Sequence, residues 1–258
     1  MSYQEHRPGG FGLLPPIVKN LLIINVLCFL AYWALGFSFN IDLNDILGLH
    51  FFMGESFSPF QYVSYMFMHG GIGHLVFNMF ALWMFGNALE NYWGAKRFLM
   101  YYMITGIGAA LLHTLVISMD VVPLLAEIDQ LIENPEGISP SMNLKEQYGA
   151  FLYRTGAAAN TTESLYLFKD WIPNQPLVVG ASGAVFGLLL AFGMMFPNSV
   201  IYLYFAIPIK AKYFVMLYGA LELYQGFQSN PGDNVAHFAH LGGMLFGFFL
   251  IKYWKKNP

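Results

Sequence analysis

"VVGASGAVFGLLLAFGMMF", Val178 to Phe196, is a run apolar enough to lie in a bilayer, yet its first half holds one serine flanked by glycines and alanines. Ser182 is either a small packing residue of a transmembrane helix or a nucleophile held at membrane depth. The ten residues around it do not decide between the two, so the rest of the chain must.

Composition settles the solvent. The 258 residues are 57% hydrophobic, 18% aromatic and 10% charged, where an ordinary soluble domain carries about 25% charged residues. Mean hydropathy is +0.50, so most of this surface meets a lipid bilayer. A net charge of −3 and a pI near 6.1 exclude nucleic acid as a partner. One cysteine, Cys28, rules out an intrachain disulfide. The opening "MSYQEHRPGGFGLLPP" has no charged start, short apolar core and small-residue cleavage site in sequence, so the first apolar run is expected to be retained.

Apolar segments of about 20 residues, enough for a helix to cross roughly 30 Å of hydrocarbon, recur near 17–37, 70–90, 96–118, 177–196, 211–229 and 236–254. The predicted fold is therefore an all-α, six-transmembrane-helix bundle over 17–254, with cytoplasmic tails at 1–16 and 255–258. A long polar insertion, 119–176, joins the third and fourth spans. It carries the loop signals "ENPEGISPS" and "NTTES" and one helix-like stretch, "VPLLAEIDQLIE". With the N-terminus inside, nine of the twelve lysines and arginines fall on the inner face, leaving Lys145, Arg154 and Lys169 outside. The positive-inside bias thus predicts both termini in the cytoplasm and the insertion on the outer face.

Ionisable or polar groups within spans are costly and usually mark function. The spans hold His74, Asn78, Glu90, His113, Ser182, Glu222, His237 and His240. Spans two, four and six all run inward from the outer face. His74, Asn78, Ser182 and His240 come early in them, one to two turns below the surface at about 1.5 Å per residue. Gly183 with Gly187 and Gly243 with Gly247 form small-xxx-small faces that let backbones approach closely. Packing spans four and six through them brings Ser182 against His240, the arrangement in which imidazole takes a serine proton as the hydroxyl attacks a carbonyl. His74 and Asn78, spaced i and i+4, share a helix face. Both can donate hydrogen bonds, and with the Ser182 backbone N–H they would line an oxyanion hole.

These residues resemble the rhomboid family of intramembrane serine proteases. The likeness is carried by "GHLVFN" (73–78), "GNALENYWG" (86–94), "GASGAVFG" (180–187) and "AHFAHLGGMLFG" (236–247), in order and on the expected spans. It implies Ser182 as nucleophile, His240 rather than His237 as base, and His74 and Asn78 as oxyanion donors. It also implies a Gly86–Glu90–Gly94 element at the inner end of span two. The chain departs from the family at Phe186, where many members have tyrosine packed against the catalytic imidazole. A second departure is Phe60-Gln61, where many have Trp-Arg in the first outer loop.

The implied activity is endopeptidase cleavage of single-span membrane proteins by a Ser–His dyad without a third carboxylate. Its partners would be transmembrane protein substrates and the lipid bilayer, its site would open to the outer face, and the membrane would be the plasma or inner membrane in a bacterium. No cofactor or metal is expected: His237 and His240 form H-x-x-H, but no H-E-x-x-H exists and no carboxylate stands as a third ligand by sequence. Glu90 is expected to tie backbone donors at the inner turn, and His69 to be structural or to hold water in the outer loop. Glu222 is either a packed protonated acid or faces a polar cavity. The competing class is an inactive rhomboid-like protein that binds transmembrane clients. A transporter would show inverted repeats or mid-membrane ionisable residues, and an aspartyl protease would need two aspartates in spans.

Overall fold

The computed structural model describes residues 14–134, 139–157, 161–203, 206–228 and 236–256. Most of the N-terminal tail, the last two residues, the centre of "ENPEGISPS" and the stretch 229–235 lie outside the described residues.

The first helix, α1 (Pro16–Phe39), starts with proline at its first position, where the missing N–H costs nothing and the fixed φ suits a helix. Its next two N–H groups are taken by a distant carboxylate: Ile17 N and Val18 N donate to Glu90 Oε1 and Oε2 at 3.0 and 2.8 Å. Glu90 therefore does tie backbone donors, and they belong to the first turn of α1. Leu27, Leu30, Trp33 and Phe37 project outward, with Phe37 96% exposed, an outer surface suited only to lipid.

A short helix α2 (Leu43–Leu47) and strand β1 (Leu49–His50) open the long loop that follows α1, which continues through α3 (Gln61–Ser64) and a 3₁₀ turn at Tyr65–Phe67. Gln61 is the anchor of this loop. Its Oε1 accepts from His50 N and Ser58 N, both at 3.2 Å, and its Nε2 donates to Ile46 O and Ser56 O at 3.2 and 2.9 Å. Its side chain is 1% exposed, so truncation would leave four backbone groups short of partners. Gln61→Ala is expected to destabilise the protein by about 2–4 kcal/mol, read as a lower melting temperature in detergent. A melting temperature equal to wild type would show that the loop is held elsewhere.

Helix α4 (Ile72–Trp93) and helix α5 (Ala95–Glu133) are joined at Gly94, whose φ of +78° favours glycine. α5 is the main departure from expectation. The third span was to end near 118, but the helix runs past Pro123 to Glu133, a length of about 58 Å that exceeds the hydrocarbon thickness. The reason is a second apolar stripe: Val121, Leu124, Leu125, Ile128 and Leu131 are all buried at helical spacing. They pack on Leu144 and Phe151 of α6 (Met142–Thr155) and Phe168 of α7 (Thr162–Trp171). The insertion is thus a helical cap with its own small core. Phe51 of the loop after α1 joins that core, and Asn174 Oδ1 accepts from Glu55 N at 2.8 Å.

Strand β2 (Leu177–Val178) pairs antiparallel with β1 and leads into α8 (Ser182–Met195). The fourth apolar segment, 177–196, is therefore helical only from Ser182. Leu177 and Val178 are engaged in the strand pair, and Gly180, at φ +128°, turns the chain into the helix. A hairpin of β3 (Val200–Leu203) and β4 (Ile207–Lys210) then connects to α9 (Ala211–Gln228), and α10 (His237–Lys256) closes the chain. Among the described residues α1, α4 and α5 are long and apolar enough to cross a membrane, and α8 is a shorter apolar helix. This is a mostly helical membrane protein, with α10 packed chiefly on α5 and α8.

Candidate active site

The glycine faces meet differently from the simple pairing expected. A Cβ on Gly243 would stand 1.8 Å from the Gly183 carbonyl oxygen, so α10 and α8 do touch backbone to backbone there. Gly183, Gly187 and Gly247 instead press mainly on α5: their added Cβ atoms would meet Ala109, Thr105 and the Tyr101 hydroxyl at 2.5, 2.7 and 2.2 Å. Tyr101 explains the third partner, because its buried hydroxyl donates to Gly187 O at 2.9 Å. Three helices, not two, converge beneath Ser182.

Ser182 is the first residue of α8, where backbone N–H groups have no intrahelical acceptor and the helix dipole is positive. Gly180 N donates to Tyr65 O at 2.9 Å, fixing the entry into that helix. The His240 ring on α10 reaches across, with Nε2 2.8 Å from Ser182 Oγ. Phe186, one turn beyond Ser182, stacks flat on this imidazole with centroids 4.1 Å apart and planes 6° from parallel. The ring contact survives the loss of a tyrosine hydroxyl.

His74 lies beside Gly180. A Cβ on Gly180 would meet its Cε1 and Nε2 at 2.7 Å, so the glycine is what admits the imidazole beside the start of α8. Asn78 is buried and its amide donates to the His74 carbonyl at 3.1 Å, which leaves the second amide hydrogen for another acceptor. The four residues picked from sequence therefore fall into a touching Ser182–His240 pair and a His74–Asn78 pair on α4. The contact geometry joins His74, but not Asn78, to the Ser182 region through Gly180.

Two groups were missed or left open. Glu222 of α9 places Oε2 2.9 Å from His240 Nδ1 and 2.7 Å from His237 Nδ1. The expectation that no carboxylate stands beside these histidines is thus corrected: a carboxylate faces Nδ1 of both. Sequence gave no spacing to find it by, since α9 and α10 are brought together only by tertiary packing. The three donor atoms lie within 4.8 Å of one another and could hold a metal. The observed separations, however, are hydrogen-bond distances, whereas ligands at about 2.1 Å from a tetrahedral metal stand roughly 3.4 Å apart.

His69, just before α4, has its ring 5.0 Å from that of His74 and is 1% exposed. Burial first, and the neighbouring His74 second, push its pKa down from 6.5 to about 4, against a smaller opposing pull from the Phe67 backbone. His69 is therefore neutral in the folded protein while the unfolded chain takes up a proton below pH 6.5. Its contribution is full above pH 6.5 and is lost as pH falls to about 4, amounting to ~3 kcal/mol. Melting in detergent should show this decline, and His69→Gln should flatten it. An equal decline in the variant would assign the acid sensitivity to other groups.

A family model described as "Rhomboid domain" matches residues 56–124 and 142–256. Among curated proteins the chain is similar to "RHOMBOID-like protein 12, mitochondrial" of Arabidopsis thaliana, 24% identical over 88% of this chain and 55% of that protein. It is similar to "Rhomboid protease GlpG" of Haemophilus influenzae, 27% identical over 33% of this chain and 45% of that one. "Rhomboid protein 1, mitochondrial" of Saccharomyces cerevisiae is 25% identical over 78% of this chain and 44% of its own length. The chain thus spans about half the length of these relatives. Two of the three are mitochondrial by name, which leaves the expectation of a bacterial plasma membrane without support.

Proposed function

Because the chain belongs to the rhomboid family, which includes proteases and inactive members, we propose that it is an intramembrane serine endopeptidase acting on single-span membrane proteins. The observation that carries this is the 2.8 Å contact between Ser182 Oγ and His240 Nε2, which a protein that only binds transmembrane clients has no need to keep. His240 takes the hydroxyl proton as Ser182 attacks a peptide carbonyl, then gives it to the leaving amine. Water deacylates the serine with His240 again as base.

The oxyanion forms at the N-terminal end of α8, where the Ser182 N–H, His74 and Asn78 donate to it. Each such donor is worth roughly 2.7–4 kcal/mol of transition-state stabilisation. In the membrane the chain makes six spans, α1, α4, α5, α8, α9 and α10, with both termini cytoplasmic and the site opening to the outer face. The tails at 1–16 and 255–258 flank a membrane domain of 17–254, and the cap at 119–176 stands over the outer surface. No cofactor or metal enters the reaction.

The test is cleavage of a model single-span substrate by purified protein in detergent. Wild type should release a fragment and Ser182→Ala should release none. Equal cleavage by both would remove Ser182 from the chemistry, and binding of the substrate without cleavage by either would favour the client-binding alternative.

A further inference from the structure

We infer that Glu222 is a positioning residue for His240, holding the imidazole in the one tautomer and rotation that leaves Nε2 facing Ser182 as an acceptor. The inference rests on the reading of Ser182 as nucleophile and His240 as its base. It replaces an isolated dyad with a chain of three side chains from α8, α10 and α9.

A carboxylate oxygen only accepts hydrogen bonds, so the 2.9 Å contact of Glu222 Oε2 with His240 Nδ1 places a proton on Nδ1. Nε2 is then the unprotonated nitrogen, and it is the one 2.8 Å from Ser182 Oγ. When Ser182 attacks, its proton passes to Nε2 and the imidazole becomes a cation with hydrogens on both nitrogens. The Glu222 carboxylate faces that charge and takes no proton. The charge is lost again when Nε2 protonates the leaving amine.

Phe186 makes this positioning necessary. A flat aromatic stack fixes the plane of the His240 ring but is indifferent to a 180° flip about Cβ–Cγ, which keeps that plane and turns a carbon toward the serine. Glu222, by accepting from Nδ1, selects between the two flips where the phenylalanine does not.

His237 holds the carboxylate in turn. Its Nδ1 meets the same Oε2 at 2.7 Å, so the oxygen is pinned between donors one helical turn apart on α10. All three residues are under 9% exposed, and in such low-dielectric surroundings a charge facing a cation acts strongly. Among the described residues, His74 of α4 and His113 of α5 also lie within electrostatic reach of His240; both are cationic when protonated, so neither can substitute for the carboxylate.

The experiment is the pH dependence of fluorophosphonate labelling of Ser182, which needs no peptide substrate, in wild type, Glu222→Gln and Glu222→Asp. The plateau labelling rate should fall roughly 10- to 1,000-fold in Glu222→Gln. The acid limb of the labelling profile should also differ from that of wild type, because the anion facing the imidazole is gone. Glu222→Asp should recover part of both. A Glu222→Gln profile matching wild type in rate and midpoint would overturn the inference while leaving the nucleophile intact. Wild type that never labels at Ser182 would overturn the underlying reading instead.

Histidine ¹⁵N spectra of wild type give a second reading that needs no variant at Glu222, with the His240 signals assigned by their loss in His240→Ala. Protonated Nδ1 and bare Nε2 at neutral pH support the inference; the opposite tautomer overturns it. Labelling that changes on adding a chelator would also overturn it, by assigning the three donors to a metal.

Discussion

His240→Ala is expected to lower cleavage of a transmembrane substrate by roughly 10⁴- to 10⁶-fold, the scale seen when a serine hydrolase loses its base. Ser182 would keep its place at the start of α8, with free backbone N–H groups around it, but nothing would take its proton. The Phe186 ring would lose its partner, and Glu222 would keep only His237 of its two imidazole donors. Binding of substrate should survive, because the loss is of a small group at the reacting end. The decisive measurement is single-turnover cleavage in detergent beside a melting curve. A rate within tenfold of wild type in a folded variant would mean that some other group serves as base.

Gly243→Val is the second large effect, and it acts through the backbone. The first carbon added would lie 1.8 Å from the Gly183 carbonyl oxygen and 2.8 Å from its carbon. No rotamer relieves a clash with main chain, so α10 must move away from α8 by an ångström or more. The Ser182–His240 contact bridges those two helices at 2.8 Å and would be pulled beyond hydrogen-bond range. Overpacking of this kind costs typically 1–3 kcal/mol and occasionally more; a rigid carbonyl places this site at the upper end, about 3 kcal/mol. Cleavage should fall to background even in the fraction that folds. Gly149→Ala on α6, where an added Cβ meets nothing within 4 Å, is the control and should behave as wild type. A Gly243→Val protein that melts and cleaves normally would show that the helices are not held at this approach.

Much of this was legible before any coordinates. Hydropathy marked the helical segments, because a bilayer imposes a length and a composition on anything that crosses it. Ser182, His240, His74 and Asn78 could be chosen because polar groups stand out against an apolar background. Glu90 was legible for the same reason, and only its partner, the first turn of α1, needed the structure.

What escaped was set by contacts between distant parts of the chain. The end of α5 was misplaced because the stripe from Val121 to Leu131 is buried by α6 and α7, which a hydropathy window cannot foresee. The start of α8 was misplaced because Gly180 and the β1–β2 pair interrupt an apolar run that reads as continuous. Gln61 stood out only as a departure from the family's arginine, yet a buried amide with two donor hydrogens and an accepting oxygen satisfies four backbone groups at once. Glu222 was visible as an acid among apolar residues. Its placement behind His240 depends on how α9 meets α10, and no local pattern encodes that.

Activation of Ser182 as a nucleophile is the property on which the proposed chemistry depends. Treating the purified protein with a fluorophosphonate and locating the adduct by peptide mass spectrometry tests this without knowledge of the natural substrate. An adduct is expected on Ser182 in wild type and none in His240→Ala. Wild type with no adduct, or with the adduct on another residue, would contradict the proposed chemistry.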